Sequence, residues 1–353
     1  MLYWDTTKTG KKNYPASGIK RVADRLLGEI QAAGQPVTPV KWDKRACTFT
    51  TRHSRRPLTG EGTFITPEIF EENDRRGFIQ WAQQYGGRKI AIFHDAIPIR
   101  LPQVTWPDSV VRHPHYMKLL GTAFDKVLAV SKASQAELLG YWKWLQLESL
   151  PGTDSLQWGA DFDNQPRSPA AWTPATPLQL LQVGILEPRK NQTLTLDACE
   201  TLWEEGLEFH LHLAGRPNPH FGKPIVRRIR QLRKAGRALT WHKAPAEPAL
   251  RQLYAQAHLC LFPSMAEGSG LPVLESLWAG RPVLASNLDC ILENASFGGV
   301  ETFDLENNTT LADKLRSLLS QPGPLGSLAQ QAQAANLPIW KEAAAELLAK
   351  SNR

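Results

Sequence analysis

The segment EGSGLPVLE, residues 267–275, places two carboxylates in an otherwise apolar stretch. Because carboxylates are costly to bury without a partner, Glu267 and Glu275 need something to bind. Gly268, Ser269 and Gly270 lie between them, just before a predicted short helix with Pro272 in its first turn, where free N–H groups favour an anion. Carboxylates accept hydrogen bonds from sugar hydroxyls. The segment therefore favours a diphosphate flanked by a sugar at Glu267 and a ribose at Glu275; for Glu275 a plain first-turn role beside the helix dipole stays open.

A second polar group follows another strand, in VGILEPRKNQ at residues 183–192. Arg189 and Lys190 stand where a strand-to-helix loop would present two cations. Such a pair neutralises the negative charge that develops on a diphosphate leaving group. Taken alone, two loop cations are more often solvated surface. Together with the glycine turn of the same half of the chain, they are interpreted as a phosphate clamp.

Strands and helices alternate along both halves, which predicts two doubly wound parallel sheets of the α/β class. A stretch with four prolines at residues 163–177 indicates a linker between them. We expect an N-terminal Rossmann-like acceptor domain over residues 1–172, a nucleotide-sugar domain over 173–335, and a final helix over 336–353 that packs back on the first domain. In such folds ligands bind at the carboxyl ends of the strands, so a cleft between the domains is predicted.

Composition restricts the class of protein. The 353 residues are 42% hydrophobic and 21% charged, and no apolar run is long enough for a membrane span or a signal peptide. The four cysteines form no CxxC pair, so a cytoplasmic setting without a cysteine metal site is expected. The net charge is +7, and the basic surplus lies in residues 1–172. This surplus favours an anionic partner, such as the inner face of a membrane, as much as a merely soluble surface.

VGILEPRKN followed by FPSMAEGSGLPVLESLWAGRPVLASN resembles the family 4 retaining glycosyltransferases of the GT-B fold. In that family the E-x7-E motif, matched by Glu267 and Glu275, binds the donor sugar and the nucleotide ribose. The resemblance implies that the amides of Gly270 and Leu271 bind the diphosphate and that Lys190 and Arg189 contact it. It further implies retention at the sugar carbon and no obligatory metal. Ser269 and Ile185 depart from the family pattern, which usually has a bulky residue and an arginine there.

The first half resembles the family more loosely. SGIKRV is similar to its N-terminal glycine loop, which implies Gly18 near the diphosphate, and AVSKAS is similar to its VS-x-x-S loop, which implies Ser131 near the site. IFHDAIPI resembles the HD-x-x-P strand end of members that build polysaccharides and O-antigens. That likeness implies His94 and Asp95 beneath the donor sugar, with Asp95 the side chain to test as a base. A satisfied core histidine stays open for His94.

Together these features predict a retaining, metal-independent hexosyltransferase of polysaccharide or lipopolysaccharide biosynthesis. No cofactor is expected, and the donor is a nucleoside diphosphate sugar: GDP-mannose is favoured and a UDP-sugar stays open. The acceptor is a hydroxyl of a glycan or a lipid-linked saccharide, and nucleic acid is not an expected partner. A sugar-nucleotide epimerase and a non-catalytic basic surface-binding protein are the alternatives. A nicotinamide dehydrogenase is a poor alternative because the chain has no GxGxxG.

Two basic segments could contact anionic surfaces. The helix candidate KPIVRRIRQLRKAGR, residues 223–237, has cations opposite an apolar stripe. A solvated helix face is favoured there over a membrane contact. The loop at residues 41–56 is the preferred candidate for docking an anionic acceptor or a membrane.

Overall fold

The alternating strands and helices form two separate sheets. The structure is a computed structural model that describes residues 1–11, 17–51, 57–58, 60–162, 166–307 and 310–352. The chain divides into unit 1, Met1–Gly159 with Pro338–Arg353, and unit 2, Ala160–Leu337. Residues 163–165 of the predicted linker and 52–56 of the predicted docking loop lie outside the described residues.

Unit 1 contains a seven-stranded sheet in the order β3-β2-β1-β4-β5-β6-β7. Its strands pair in parallel except for the edge strand β3, which runs antiparallel to β2. The strands are β1 (Leu2–Asp5), β2 (Val37–Asp43), β3 (Thr48–Thr51), β4 (Thr63–Thr66), β5 (Arg88–Phe93), β6 (Lys126–Ala129) and β7 (Gly152–Ser155). The helices are α1 (Gly18–Ala32), α2 (Phe78–Gln84), α3 (Ile97–Arg100), α4 (Pro107–Ala123) and α5 (Lys132–Trp144). A parallel α/β unit was predicted; the antiparallel edge strand was not.

Unit 2 contains a six-stranded, fully parallel sheet in the order β10-β9-β8-β11-β12-β13. The strands are β8 (Leu178–Val183), β9 (Phe209–Ala214), β10 (Leu239–His242), β11 (Leu259–Phe262), β12 (Val283–Ser286) and β13 (Val300–Phe303). The helices are α6 (Gln192–Glu204), α7 (Gly222–Lys234), α8 (Glu247–Gln256), α9 (Leu271–Trp278), α10 (Asp289–Ala295), α11 (Thr310–Ser320) and α12 (Pro322–Ala334). The predicted doubly wound sheet is confirmed in both units.

The C-terminal helix α13 (Trp340–Asn352) belongs to unit 1, where it packs against α1. Its first residue, Trp340, is buried and stacks on Trp158 with 5.7 Å between the ring centroids. At its other end the Ser351 carbonyl accepts a hydrogen bond from Arg88 (2.8 Å). The predicted return of this helix to the first half of the chain is therefore confirmed.

The linker residues 166–172 pack on unit 2, so unit 2 begins at Ala160, ahead of the predicted boundary at 172. The Arg167 guanidinium donates to five backbone carbonyls at the carboxyl ends of α9 and α12, those of Leu277, Trp278, Ala332, Gln333 and Ala335, at 2.6–3.1 Å. Trp172 donates to the His258 carbonyl (2.9 Å). A cation bound to helix C-terminal carbonyls is favourable because these groups lack intrahelical partners.

Among the described residues, no helix has the length and apolar character of a membrane span.

Candidate active site

The strand order of unit 2 defines one crevice at the carboxyl edge of its sheet. The chain passes from β8 outward through β9 and β10 on one side, and through β11, β12 and β13 on the other. The connections that leave β8 and β11 therefore run in opposite directions and open a crevice between them. This topological switch point is where open α/β sheets bind ligands. The predicted site residues of unit 2 follow these same two strands.

A charge cluster occupies this switch point. The Glu267 carboxylate, in the loop after β11, accepts hydrogen bonds from Lys190 Nζ (2.6 Å) and Arg189 Nη1 (2.8 Å), both in the turn after β8. The two loops are also joined through their backbones, since Met265 N donates to the Arg189 carbonyl (2.8 Å). The structure thus brings Glu267 together with two adjacent residues that lie 78 and 77 positions earlier in the sequence.

A fourth charged residue, Glu187, completes the cluster. Its Oε1 accepts from Arg189 Nε (3.1 Å) and Nη2 (2.8 Å), and its Oε2 accepts from Asn218 Nδ2 (2.9 Å). Arg189 therefore bridges the two carboxylates of Glu187 and Glu267, and two cations face two anions. The sequence analysis did not identify Glu187, although it stands in the EPRKN segment. A carboxylate two residues before a predicted phosphate-binding arginine was the available signal.

Burial shapes the acidities in the cluster. The side chains of Glu267 and Lys190 are each 10% exposed, and that of Arg189 is 18% exposed. Burial raises the pKa of Glu267, but the positive charges of Lys190 and Arg189 together lower it by more. The pKa of Glu267 therefore lies below its ordinary value. Burial also lowers the pKa of Lys190, and the attraction of Glu267 opposes this shift only in part. Lys190 Nζ lies 4.8 Å from the Phe262 ring centroid, which adds a cation–π contact.

The glycine turn lies directly after Glu267. Gly270 is the N-cap of α9 and has φ +72°, the left-handed region that favours glycine. The preceding carbonyl, that of Ser269, accepts a hydrogen bond from Asn294 in α10 (2.7 Å). The first residue of α9, Leu271, presents its N–H at the helix N-terminus, where unsatisfied donors and the dipole favour an anion. Gly268, Ser269 and Gly270 thus occupy the predicted place between the charge cluster and α9.

The structure corrects the position of Glu275. This residue lies in the second turn of α9, and the first turn contains no acidic residue, so the expected first-turn position is wrong. Its side chain is buried, and its carboxylate accepts a hydrogen bond from Tyr254 in α8 (2.9 Å). Tyr254 is a partner that the sequence analysis missed, because nothing local to residues 267–275 indicates α8.

The remaining predicted residues belong to unit 1 and follow its strands. His94 comes after β5 and is buried, and its Nε2 hydrogen-bonds to the Pro67 carbonyl (2.7 Å); burial lowers its pKa. These contacts are those of the satisfied core histidine that the sequence left open. Asp95 Oδ1 accepts from the Ile97 amide (3.0 Å). Ser131 is the N-cap of α5 and accepts from the Ser134 amide (3.0 Å).

Gly18 is exposed and begins α1, whose N-cap is Ser17. Ser134, in α5, also donates its hydroxyl to the His94 carbonyl (3.2 Å), so the loops after β5 and β6 are joined. Of the predicted unit 1 residues, the structure therefore links His94 and Ser131 through Ser134. The catalytic and binding roles of all these side chains stay predictions. Within the described part of the chain, no group of three or more His, Cys, Asp or Glu side chains is placed to hold a metal ion.

Comparison with known families identifies the second half of the chain. Residues 165–336 match the model of the glycosyl transferases of group 1. A serotype-specific mannosyltransferase, WbdA, from Escherichia coli is 25% identical over 311 residues, which are 79% of this chain and 38% of that protein. This chain therefore spans well under half the length of that relative. A GDP-mannose-dependent alpha-(1-6)-phosphatidylinositol dimannoside mannosyltransferase from Mycobacterium tuberculosis is 24% identical over 95% of this chain and 92% of its own length.

Solved structures share the fold over nearly the whole chain. A sucrose-phosphate synthase from Thermosynechococcus elongatus matches with a TM-score of 0.72 and 18% identity, covering 99% of this chain and 98% of that one. The Anabaena protein HepE, solved in complex with UDP and glucose, matches with a TM-score of 0.70 and 12% identity, covering 99% of each chain. At these identities the likeness concerns the fold, and the predicted GT-B fold is confirmed.

Proposed function

Since residues 165–336 belong to the group 1 glycosyl transferases, we propose that this protein transfers a sugar from a nucleoside diphosphate sugar to a hydroxyl group of a glycan or a lipid-linked saccharide. The observation that carries the proposal is the cluster of Glu267, Arg189 and Lys190 at the switch point of unit 2, beside the N-terminus of α9. It combines hydroxyl-accepting and phosphate-binding groups in one crevice.

The diphosphate binds at the start of α9. Gly268, Ser269 and Gly270 let the backbone approach the phosphate oxygens, and the amides of Gly270 and Leu271 donate to them. Lys190 and Arg189 lie within 3 Å of Glu267, so their charges are already gathered in the same crevice. As the bond to the sugar breaks, negative charge grows on the leaving diphosphate, and fixed cations stabilise it without further reorganisation. These residues thus stabilise the negative charge of the leaving diphosphate, as a metal ion does in other transferases.

Glu267 accepts hydrogen bonds from hydroxyls of the donor sugar. Its pKa is held below the ordinary value by Lys190 and Arg189 against the effect of burial, so it is a carboxylate at neutral pH. An ionised carboxylate is a strong acceptor for hydroxyl donors. Retention follows if the acceptor hydroxyl attacks on the face that the diphosphate leaves, with a diphosphate oxygen taking the proton. Glu275, bound to Tyr254, keeps its proposed role toward the ribose.

The donor is proposed to be GDP-mannose. The relatives named above are mannosyltransferases, one of them GDP-mannose-dependent, and the HD-x-x-P likeness of residues 94–98 favours the same sugar. UDP bound to the HepE neighbour belongs to a chain that is 12% identical, so a UDP-sugar is the second candidate. In unit 1 we retain His94 and Asp95 as catalytic candidates, and Ser131 and Gly18 as donor-binding candidates.

Thermal unfolding with GDP-, UDP-, ADP- and dTDP-sugars tests the donor. A ligand at 100 times its Kd stabilises the native state by about 2.7 kcal/mol, which raises Tm by roughly 5–10 °C for a domain of this size. Transfer is then measured with the stabilising donor and a mannose oligosaccharide, and the anomeric configuration of the product is read by NMR. An epimerised donor formed without acceptor would establish the epimerase instead.

Glu267→Gln tests the site, with Glu187→Gln as a matched control. Both carboxylates bind Arg189, and both substitutions remove one charge from the same cluster. We expect Glu267→Gln to lower turnover at least 100-fold and Glu187→Gln to lower it less than tenfold. Circular dichroism verifies that both variants fold. Equal turnover in the two variants, or turnover of Glu267→Gln near the parent value, contradicts the assignment of Glu267. A parent protein that transfers no sugar from any of the donors supports the non-catalytic binding protein.

A further inference from the structure

Helix α7 (Gly222–Lys234) carries the densest positive charge of unit 2. Seven Lys and Arg residues lie between Lys223 and Arg237. The apolar side chains of α7 are buried in the core of unit 2, among them Ile225, Val226, Ile229 and Leu232. The amphipathic pattern of the sequence is confirmed, and the cations stand opposite the buried stripe.

Two of the seven cations are paired along one flank of the helix. Arg228 binds the carboxylates of Glu200 and Asp197 in α6, and Arg237 lies 3.5 Å from Glu204 in α6. The other five, Lys223, Arg227, Arg230, Arg233 and Lys234, are exposed. Among the residues that the structure describes, none of these five has a carboxylate within 4.0 Å.

Four of the exposed cations form a line along the helix. Lys223, Arg227, Arg230 and Lys234 have the spacing i, i+4, i+7 and i+11, which places them within an arc of about 60° and along roughly 16 Å of axis. Like charges three and four positions apart destabilise a helix. An anionic surface that covers this line of cations would offset their mutual repulsion by attracting each of them.

We propose that this line of cations docks unit 2 on the headgroups of an anionic phospholipid bilayer. The contact is electrostatic and involves only the headgroups, because the apolar stripe of α7 is buried in the core of unit 2 and cannot enter the lipid. Clusters of four or more Lys and Arg on a helix bind anionic leaflets in this way, and four cations raise the partition coefficient about thousandfold. This surface differs from the loop at residues 41–56 that the sequence favoured.

Vesicle sedimentation tests the proposal on the full chain. The vesicles contain phosphatidylcholine alone or with about one third phosphatidylglycerol, at roughly 0.15 M salt so that screening is physiological. We expect binding to the anionic vesicles and a loss of at least 100-fold in the variant Lys223→Gln, Arg227→Gln, Arg230→Gln, Lys234→Gln. Glutamine is a good helix former, and the removal of like-charge repulsion keeps α7 folded, which thermal unfolding verifies.

The matched control removes four exposed cations of unit 1 that lie outside the loop at residues 41–56, with Arg76→Gln, Lys118→Gln, Lys143→Gln and Lys341→Gln. This control variant has the same net charge as the α7 variant. Its affinity for the anionic vesicles should stay within threefold of that of the parent protein. Equal loss in the two variants shows a net-charge effect and overturns the proposal, as does retained binding of the α7 variant. Binding of a 20-base-pair DNA duplex as tightly as the vesicles also overturns it. Because the assay needs no donor, it is independent of the proposed transferase activity.

Discussion

The substitution Gly270→Ala isolates the contribution of the α9 N-terminus to donor binding. Gly270 has φ +72°, and a Cβ at this position would lie 2.5 Å from Ile291 Cδ1 and 3.1 Å from Asn294 Nδ2. Ile291 is fully buried, and Asn294 is engaged with the Ser269 carbonyl (2.7 Å). The Ile291 methyl group can move only within a fully buried site, and a shift of Asn294 breaks its hydrogen bond to the Ser269 carbonyl. We therefore expect one added methyl group to displace the amides that are proposed to hold the diphosphate.

Two terms set the magnitude. A left-handed conformation costs a residue other than glycine about 1–2 kcal/mol. Overpacking of a filled site costs a further 1–3 kcal/mol or so. We therefore expect Gly270→Ala to lower the free energy of unfolding by about 2–5 kcal/mol. A displacement of the amides that costs about 1.4 kcal/mol or more in binding weakens the donor complex at least tenfold.

Gly280→Ala is the matched control, at the other end of the same helix. Gly280 also has φ +72°, and its added Cβ would lie 2.6 Å from Pro169 Cβ. Urea unfolding should show similar losses of stability in the two variants, whereas calorimetry should show weaker binding of the nucleoside diphosphate in Gly270→Ala alone. Unchanged affinity in Gly270→Ala, or the same loss in Gly280→Ala, would refute the phosphate site at α9.

Two further predictions concern the pH dependence of stability. Arg75→Met leaves Asp5 and Glu68 buried without the guanidinium that binds both, so urea unfolding should show a loss of about 3–5 kcal/mol. Burial and the charge of Asp5 raise the pKa of Glu68 to about 7. Glu68 is therefore mostly protonated at pH 5, and the loss of stability in Arg75→Met should be smaller there than at pH 8. The control Arg167→Met loses only carbonyl partners, so its loss of stability should not depend on pH. Burial and two neighbouring histidines lower the pKa of His212 to about 4, so its contribution is complete above about pH 6.5 and is lost toward pH 4. His212→Asn should flatten this slope in denaturation measured at successive pH values, and an unchanged slope would assign it to other groups.

Local sequence patterns predicted the parts of the fold that local physics determines. Strands alternate with helices in both units, and the cations of α7 stand opposite its buried apolar stripe, as the sequence predicts. The cluster of Arg189, Lys190 and Glu267 was also predictable, because each residue follows a strand and parallel strands bring their carboxyl ends to one edge. The glycine turn and the two loops after β8 and β11 were therefore enough to predict a crevice in unit 2.

Features that depend on distant contacts escaped prediction. The position of Glu275 against Tyr254 requires the packing of α8 on α9, which no spacing within residues 267–275 reveals. Arg75 binds Asp5 across 70 positions of sequence. In the sequence, Arg75 stands in EENDRR, a run of charges typical of solvated surface, yet its side chain is 1% exposed and lies over the Phe70 ring.

The two units show why topology alone does not determine a binding site. In unit 1 the switch point lies between β1 and β4, and there Arg75 binds Asp5 and Glu68, with all three side chains at most 1% exposed. In unit 2 the equivalent crevice holds Arg189, 18% exposed, with its carboxylate partners.

Exchanging a carboxylate for a phosphate requires that the cation be reachable from the solvent, and a sealed guanidinium would have to give up two buried partners first. The described burial thus supports the proposal that unit 2 binds the donor, and the family match covers that same part of the chain. In unit 1 the same strand order serves to fix the loop after β1, because Glu68 also accepts the amides of Lys8 (2.6 Å) and Thr9 (2.8 Å).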